Sequence, residues 1–421
     1  MPGHADSSAT GLALSAAAPL DTLFPQRLEG EELLGGLFRL ALECRGTDAA
    51  IVLADALGKH VSLTLRAGTV ERPFDGMCAS IRQRPAEEGF AVYVLELRPW
   101  LWWLSLSSDY RIFQAKSVPD IVEAVFAAAA YTDYELRLSG SYEPREYCVQ
   151  YGETDFAFVA RLLEEEGIHY FFIHATGVHT LVLADSTDAW PVCPGGATID
   201  FMPPAIGARE LQAIRAGELG LQAGSTAFRT GDYAFVTPAT SLAALAEGGQ
   251  PARVVAEYPG GYATKAAGEA RAKQRMEELN SRGRCLSGTS DSRALVPGHT
   301  FLLAGHERPD ANVEWVVERV GHAFSHLAYE NSFSALPRDV AYRPQRATPR
   351  PRIHGSQTAV VVGKSGEEIW TDEHGRIKVQ FHWDRAGKND ENSSCWVRVA
   401  QAWAGKGWGR SSSRASGRKW W

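Results

Sequence analysis

Short runs of alternating hydrophobic and polar residues fill the first part of the chain. From Leu23 to about Val94 they read "LFRLALEC", "HVSLTLRAG" and "FAVYVLELRPW", and Gly, Pro and Asp turn signals separate them. Because successive side chains of a strand point to opposite faces of a sheet, this pattern predicts a succession of strands.

Three later stretches predict helices instead, the first two from the helical spacing of their apolar residues and the third from its richness in Ala, Glu, Lys and Arg. They are "SVPDIVEAVFAAA", "ETDFAFVARLLEEEG" and "ATKAAGEARAKQRMEELNSR". Pro119 suits the first turn of the first helix, Thr154 can cap the second, and Gly167 is a natural stop after it. The runs "IHYFFIH", "HTFLLAGHE" and "VEWVVERVGHAFSH" predict further strands. The sequence therefore predicts a mainly β protein with a few helices.

The pattern breaks at residues 337–352, "PRDVAYRPQRATPRPR". Prolines prevent a regular helix or central strand, so we predict an extended linker. A new β region follows, with "TAVVVG", "RIKVQFHWDR" and "CWVRVAQAW" as strands. In the second of these, one face carries Ile377, Val379, Phe381 and Trp383, and the other carries Lys378, Gln380, His382 and Asp384. Short strands around a Gly-containing turn predict a small barrel.

Composition narrows the class of protein. A chain of 421 residues is expected to form two to four domains, and 45% hydrophobic with 22% charged residues is ordinary for globular protein. The net charge of -7 disfavours a chain that binds nucleic acid over its whole surface. The six cysteines are scattered without ligand spacing, which favours folding in a reducing cytoplasm over a disulfide framework or zinc site. Residues 1–22 lack a basic n-region and a strong apolar core, so we expect a disordered leader and no signal peptide.

Candidate chemistry is sparse. Glu164, Glu165 and Glu166 lie at the end of a predicted helix, where we expect a solvated face or ion pairs with a neighbouring subunit rather than a catalytic acid. His169, His174 and His179 recur every five residues, which puts the three on no common face of a helix or strand. No fingerprint of a nucleophile, metal, phosphate or dinucleotide site occurs, so we expect no catalytic residue, metal or cofactor.

Two other features have both a functional and a structural interpretation. The tryptophans of "PWLWWL" could stack on bases or sugars, but they are more typical of a core or subunit interface. The linker arginines could follow a phosphate backbone, although such runs are usually solvated. The five are Arg338, Arg343, Arg346, Arg350 and Arg352. A nucleic-acid- or membrane-binding module using this linker, the C-terminal tail and the barrel is therefore kept as an alternative function.

Several long stretches also resemble a known family. They are "PWLWWL", "YRIFQAKSVPDIV", "REYCVQYGETDFAFVARLLEEEGIHYFF", "HTLVLAD", "YPGGY", "GHTFLLAGH" and "GEEIWTDEHGRIKVQFHWDRAGKNDENSSCWVRVAQAWAGKGWG". In this order and spacing they resemble the VgrG family, the tip or spike proteins of type VI secretion systems, also called Rhs-element Vgr proteins. The resemblance extends from about Leu23 to Gly409.

The resemblance implies a phage-baseplate-hub-like fold. Residues 23–336 would form two β-barrel modules with inserted helices, and 353–409 an incomplete OB-fold. It implies a non-catalytic homotrimer that sits on a hexameric, Hcp-type tube protein, contacts baseplate proteins and delivers effectors. A tip protein or effectors are expected for full-length members, with no nucleic acid and no stable membrane insertion. The chain would assemble in the cytoplasm and leave through the type VI machine.

The resemblance further implies that large side chains fill structural contacts or subunit interfaces. These candidates are Trp100, Trp102, Trp103, Glu164, Glu165, Glu166, Trp370, Phe381, Trp383, Trp396 and Trp403. A second alternative is an effector enzyme, a hydrolase of the same system. It would need a toxin domain after the needle, and nothing in the sequence after Gly409 has that character.

The last residues, 410–421, depart from the family. "RSSSRASGRKWW" stands where members continue with a stretch resembling "FIPRIGQEVVV". Trp has the single codon TGG, and GC-rich codons chosen for this segment read, two bases on, as Phe-Val-Ile-Pro-Arg-Val-Gly-Gln-Glu-Val-Val. We therefore expect a frameshifted tail, from a pseudogene, a real truncation or a sequencing error, that ends the chain before the β-helix needle. The nucleotide sequence across codons 405–421 tests this hypothesis.

Overall fold

The computed structural model describes residues 11–67, 70–203, 212–250, 253–325, 328–400, 403–405, 408–410 and 419–420. Strands predominate in these ranges, so the predicted mainly β class with a few helices is confirmed.

The described residues form 25 strands and four α-helices. The strands, in chain order, are β1 (Leu12–Ala16), β2 (Phe24–Leu33), β3 (Arg39–Gly46), β4 (His60–Ala67), β5 (Val70–Glu87), β6 (Phe90–Arg98), β7 (Ser108–Lys116), β8 (Tyr134–Arg137), β9 (Arg145–Thr154), β10 (His169–Ala175), β11 (Val178–Ala184), β12 (Thr198–Asp200), β13 (Ile214–Leu221), β14 (Ala227–Thr230), β15 (Ala244–Glu247), β16 (Val254–Glu257), β17 (Arg284–Ser290), β18 (Thr300–Ala304), β19 (Glu314–Ser325), β20 (Ala328–Pro337), β21 (Ala359–Val362), β22 (Lys378–Phe381), β23 (Trp403–Gly405), β24 (Trp408–Arg410) and β25 (Lys419–Trp420). The α-helices are α1 (Trp100–Trp103), α2 (Val118–Ala128), α3 (Asp155–Glu166) and α4 (Lys265–Asn280).

The chain divides into two compact units. The first unit contains residues 1–102, 133–140 and 167–345, and the second contains 103–132, 141–166 and 346–421. The predicted hub-like region 23–336 contributes segments to both units, and its division into two barrel modules stays a prediction. Two of its segments group with the C-terminal residues, a long-range grouping that local sequence pattern does not carry.

A large, mainly antiparallel sheet organises the first unit. Ten of its strands follow the order β1-β4-β5-β6-β3-β2-β19-β20-β17-β13, and β18 joins β12 to β19. The alternation seen in the sequence sets the two faces. In β3, Leu40 and Leu42 are fully buried, whereas Arg39 is exposed and Glu43 half-buried.

Strand β1 departs from the predicted disordered leader. Residues Leu12–Ala16 pair antiparallel with β4, and Leu12 and Leu20 are fully buried. The apolar residues of "GLALS" find an edge strand to pair with, which a composition argument does not reveal. The rest of the predicted leader, residues 1–10, lies outside the described residues.

Two smaller sheets complete the first unit. Strands β10 and β11 form a hairpin that β8 joins in parallel, and β14 lies between β15 and β16. One face of the hairpin packs into an apolar cluster with Phe171, Val182, Trp190 and Val316. Helix α4 begins at the predicted stretch, where Thr264 accepts a hydrogen bond from Ala267 N–H at 3.2 Å.

The second unit contains α2, α3 and the β7–β9 ribbon. Ser117 and Asp120 form a capping box at the start of α2, with Pro119 in its first turn. Thr154 caps α3 by accepting from Ala157 N–H at 3.1 Å, and Gly167 follows the helix with a φ of +69° that favours glycine. The helices predicted from the sequence are thus confirmed.

The C-terminal strands are shorter than the sequence predicts. Of "RIKVQFHWDR", only Lys378–Phe381 form a strand, because the chain turns at His382. The polar face is also not uniformly solvated: Gln380 is buried, and its Nε2 donates to Asp384 O at 2.8 Å. Of "CWVRVAQAW", residues 395–400 make only an isolated bridge between Val397 and Ile377. The OB-fold remains a prediction.

Residues 338–352, all within the described part of the chain, form no helix or strand. No described helix is both long and apolar enough to cross a membrane.

Candidate functional site

A buried network of charged and histidine side chains lies in the first unit. We call it the histidine network and define it by Glu32, His60, Ser62, Arg72, Asp75, His174, His179 and His322. Strands β2, β4, β5 and β19 of the large sheet supply six of these side chains, and the β10–β11 hairpin supplies His174 and His179. The network therefore joins the hairpin to the large sheet.

Glu32 is the centre of one half. Its carboxylate is 2.7 Å from Arg72 Nη2, 3.0 Å from His174 Nε2 and 2.8 Å from His322 Nε2. Burial alone would raise the pKa of Glu32, but the Arg72 charge and the hydrogen bonds from the two histidines hold this pKa well below its ordinary value. Glu32 is thus a buried carboxylate with its charge balanced by Arg72.

Asp75 is the centre of the other half. Its Oδ2 lies 2.8 Å from both His60 Nδ1 and His179 Nδ1, and its Oδ1 accepts from Ser62 Oγ at 2.8 Å. Burial opposes ionisation, but these hydrogen bonds lower the pKa of Asp75 to about 2. Ser62 Oγ also accepts from Gly177 N–H at 2.8 Å, which fastens the turn of the hairpin.

His179 and His322 each use one ring nitrogen to contact Asp75 or Glu32, and the partner of the other nitrogen helps to define the tautomer. His179 Nε2 accepts from the backbone N–H of Trp100 at 2.7 Å, so the neutral ring carries its proton on Nδ1. His322 Nδ1 is 2.8 Å from the Tyr329 hydroxyl. Burial lowers the pKa of His179 and His322, although Asp75 and Glu32 oppose this effect. Both rings are therefore neutral near pH 7.

Half-buried His60 behaves differently. Its hydrogen bond to Asp75 raises its pKa, against partial burial. Because the charge of Arg72 is matched by Glu32, the hydrogen bond to Asp75 favours the protonated form of His60 over the neutral ring.

One side of this network has the composition of a metal site. Three possible ligand atoms, one each from His60, Asp75 and His179, lie within 4.8 Å of one another. A metal on His179 Nδ1 would require the proton to move to Nε2, where the Trp100 N–H already points at 2.7 Å. Metal-bound imidazole normally donates from its second nitrogen, and here that nitrogen meets a donor. The geometry therefore fits hydrogen bonds between these groups better than a metal ion.

Sequence reasoning missed this network. The interval of five between His174 and His179 fits no single-element period, but the hairpin register pairs the two residues directly across the strands. The signal was "HATGVH", in which a two-residue Thr176–Gly177 turn places the flanking histidines opposite each other. His169, also buried, is separate: its Nε2 accepts from Trp190 Nε1 at 2.8 Å, and burial lowers its pKa to about 3.

The acidic run at the end of α3 forms a second network, in the second unit. We call it the arginine network and define it by Arg145, Glu153, Arg161, Glu165, Glu166 and Arg350. Glu165 lies 2.8 Å from Arg145 Nη1, 2.7 Å from Arg350 Nε and 3.7 Å from Arg161 Nη1. Burial would raise the pKa of Glu165, but Arg350 and Arg145 lower it to about 2.

These contacts correct the expected solvated face, whereas the expected ion pairs with a neighbouring subunit stay a prediction. Glu165 is only 5% exposed, and its ion pairs lie within the chain. Glu166 pairs with Arg145, and Glu164 accepts from the Thr348 N–H and hydroxyl at 2.9 and 2.7 Å. The acidic run thus binds residues of the predicted linker.

Three of the five linker arginines form ion pairs within the chain. Arg338 pairs with Glu314 at 2.6 Å, and Arg343 with Glu277 at 2.9 Å. Arg350 belongs to the arginine network, which leaves fewer of these charges for phosphate groups.

The predicted aromatic candidates fall in separate places. Trp100 is a core residue, 2% exposed, and its Nε1 donates to Asp133 O at 3.2 Å, whereas Trp102 and Trp103 are half-buried. In the second unit, the rings of Trp370 and Trp396 are 4.6 Å apart, and Phe381 stacks on Trp383 at 5.0 Å. The side chain of Trp403 lies outside the described residues.

Comparison with known proteins places this architecture. A model of the phage tail baseplate hub (GPD) family matches residues 31–328, most of the chain. The chain belongs to the phage tail baseplate hub family. The match begins inside β2 and ends at the start of β20, so it contains every residue of the histidine network.

The resemblance to VgrG spike proteins is confirmed by sequence. The type VI secretion system spike protein VgrG1c of Pseudomonas aeruginosa is 40% identical over 401 residues, which are 91% of this chain and 55% of that relative. The actin cross-linking toxin VgrG1 of Vibrio cholerae is 32% identical over 92% of this chain and 38% of the toxin. The chain thus spans about half the length of its curated relatives.

A solved structure supports the hub fold. The Escherichia coli c3393 protein, described as a component of the type VI secretion system that resembles the T4 phage tail proteins gp27 and gp5, matches 91% of this chain and 92% of its own. The TM-score is 0.69 at 21% identity, which shows a shared fold.

Proposed function

We propose that this chain is the hub part of a type VI secretion spike, a structural component that binds the end of the secretion tube. The observation that carries the proposal is the 40% identity to a type VI spike protein over 91% of the chain. The hub family match over residues 31–328 and the shared fold support the same role.

The proposed assembly is a homotrimer seated on a hexameric, Hcp-type tube protein, with baseplate proteins as further partners. A tip protein or effectors would bind full-length relatives beyond the residues that match here. Assembly takes place in the cytoplasm, and export uses the type VI machine. The region predicted as two barrel modules would form the ring that faces the tube.

The proposed hub has no catalytic role. In both networks the acidic and basic groups are bound to one another, which is typical of structural ion pairs rather than a reactive group open to substrate. More than half of the Vibrio toxin lies outside its match to this chain, so its cross-linking activity is not carried over.

Export tests the function directly. A tagged copy of the full chain is expressed in type VI-competent cells and in matched cells lacking the tube protein, and the culture medium is probed for it together with a cytosolic leakage marker. We expect the chain in the medium only when the tube protein is present. Equal release from both strains, or release only with the leakage marker, would refute the proposed role.

Native mass spectrometry tests the assembly separately. Three copies of the 45.9-kDa chain give about 138 kDa. We expect this species to grow with protein concentration. A folded chain that stays at 45.9 kDa throughout the concentration series contradicts the trimer without contradicting export.

A further inference from the structure

At its end, the hairpin tip, residues 174–179, is held on the large sheet mainly by hydrogen bonds, beside the ring of Phe38, which lies 5.0 Å from the His174 ring and 5.5 Å from the His179 ring. His174 forms a hydrogen bond with Glu32, and His179 donates to Asp75 and accepts from the Trp100 N–H. Gly177 N–H donates to the Ser62 hydroxyl. The base of the hairpin is different, since Phe171 and Val182 are fully buried in an apolar cluster. A change of protonation can therefore alter the hydrogen bonds of the tip without altering the apolar packing of the base.

The buried histidines differ in what an added proton would meet. His174 Nδ1 lies 3.0 Å from Asp75 O as well as 3.1 Å from Asp75 N, so a proton there has an acceptor. His322 Nδ1 faces the Tyr329 hydroxyl, which can rotate and accept instead of donate. Protonation at either ring is compatible with the closed tip.

His179 has no such freedom. A second proton would sit on Nε2, which faces the backbone N–H of Trp100 at 2.7 Å. A backbone N–H is a donor only and cannot reverse, so two donors would oppose each other and a buried hydrogen bond would be lost. The conflict is relieved only when the ring and the N–H separate.

A protonated His179 ring would have no contact with solvent in the closed tip. The ring is fully buried, with the ring centroids of Phe38 and Phe172 at 5.5 and 6.0 Å. The titratable groups that face it are Asp75 on β5, His60 on β4 and His174 on β10. Asp75 favours a cation, but protonated His60 shares that same carboxylate oxygen and opposes a second positive ring.

We propose that the hairpin tip is an acid-sensitive latch, which opens when His179 binds a proton at Nε2. At neutral pH the latch is closed, with His179 donating to Asp75 and accepting from Trp100. In acid the tip leaves the large sheet and exposes the imidazolium to water, while the apolar base stays packed. The latch is a property of the fold and does not depend on the proposed role in secretion.

Amide hydrogen exchange of the full chain tests the latch, because the Trp100 amide is itself the reporter. Exchange is followed between about pH 7.5 and pH 5 and corrected for the intrinsic chemical rate. One proton bound on opening predicts that protection of the Trp100 and Gly177 amides falls about tenfold per pH unit below about pH 6.5. Protection in β19 and β20 should not change. Constant protection at the tip, or an equal loss in β19 and β20, overturns the proposal.

The variant His179→Gln separates the latch from general acid sensitivity. A glutamine amide oxygen can accept from Trp100 N–H but does not titrate, so the pH dependence at Trp100 should fall below about twofold over the same range. The matched control is His354→Gln, which removes an exposed histidine of the second unit and should leave the tenfold dependence intact. Persistence of the full dependence in His179→Gln overturns the proposal.

A measurement on the unaltered chain covers the case in which that variant does not fold. Histidine-selective nitrogen NMR should show His179 with its proton on Nδ1 at neutral pH. We expect its protonation to coincide with loss of Trp100 protection. A protonated His179 with a still-protected Trp100 amide contradicts the latch.

Discussion

In the first unit the histidine network buries its carboxylates among histidines, whereas in the second unit the arginine network buries Glu165 among arginines. Glu32 and Asp75 are held by His174, His179 and His322 with a single arginine, Arg72. Glu165 is held by arginines alone. Guanidinium groups stay charged at any pH that a protein survives, but imidazole changes charge near neutrality. The two networks are therefore expected to respond to acid differently.

The largest expected effect comes from breaking the buried pair of the first unit. Arg72→Met leaves the Glu32 carboxylate buried without its counter-charge, which we expect to cost about 3–5 kcal/mol. Hydrogen exchange of the β19–β20 amides measures this loss as a change in the free energy of opening. The double variant Glu32→Gln/Arg72→Met should recover part of it, because no charge is then left unpaired. A double variant no more stable than Arg72→Met would show that shape, not charge, dominates this site.

A smaller effect is expected in the second unit. Glu165→Gln removes the charge that Arg145 and Arg350 share, and hydrogen bonds to charged groups contribute about 1.5–3 kcal/mol. Exchange of the α3 amides is the readout. Arg350→Ala is the matched control: its side chain is 63% exposed, so the loss should stay below about 1 kcal/mol. If Arg350→Ala lowers the free energy of opening as much as Glu165→Gln does, the contact with Arg350 supplies most of the stability of the arginine network.

The smallest effect is the response of the arginine network to mild acid. A carboxylate whose pKa is lowered on folding stabilises the fold above its unfolded pKa and loses that contribution as pH falls through the folded value. For Glu165 the loss extends from about pH 4.5 down to about 2. Protection of α3 should therefore stay constant between about pH 7.5 and pH 5, where the hairpin tip opens. A parallel loss in α3 would remove the contrast between the units.

The sequence predicted local structure better than long-range grouping. Local signals were sufficient for the three longer helices. Pro119, Thr154 and Gly167 act within one turn of the helices α2 and α3 that they bound, and helix-favouring composition was sufficient for α4. The strand "CWVRVAQAW" was overpredicted, since alternation shows which face is apolar but not whether a partner strand is present. The grouping of residues 103–132 and 141–166 with the C-terminal part depends on contacts between distant segments.

The histidine network also depends on long-range contacts that the sequence pattern does not predict. Glu32, Arg72 and Asp75 are ordinary polar positions of strands in the sequence, and only the sheet register shows that they converge with His174 and His179. The resemblance to spike proteins identified the family without this information, because it depends on long ordered stretches rather than on which side chains meet. The acidic run was singled out for the right reason, its unfavourable place at a helix end, but its partners came from Arg145 and the linker.

The pairing of β2 with β19 has a consequence for how the chain is made. His322 lies 290 residues after Glu32, and β19 is the neighbour of β2 in the large sheet. At about 5–20 residues per second, a ribosome needs ~15–60 s to travel that distance. During this interval the nascent β2 has an open edge and a carboxylate that must stay hydrated. Closure of the sheet is thus a late event of synthesis, and a factor that shields the β2 edge should raise the yield of folded hub.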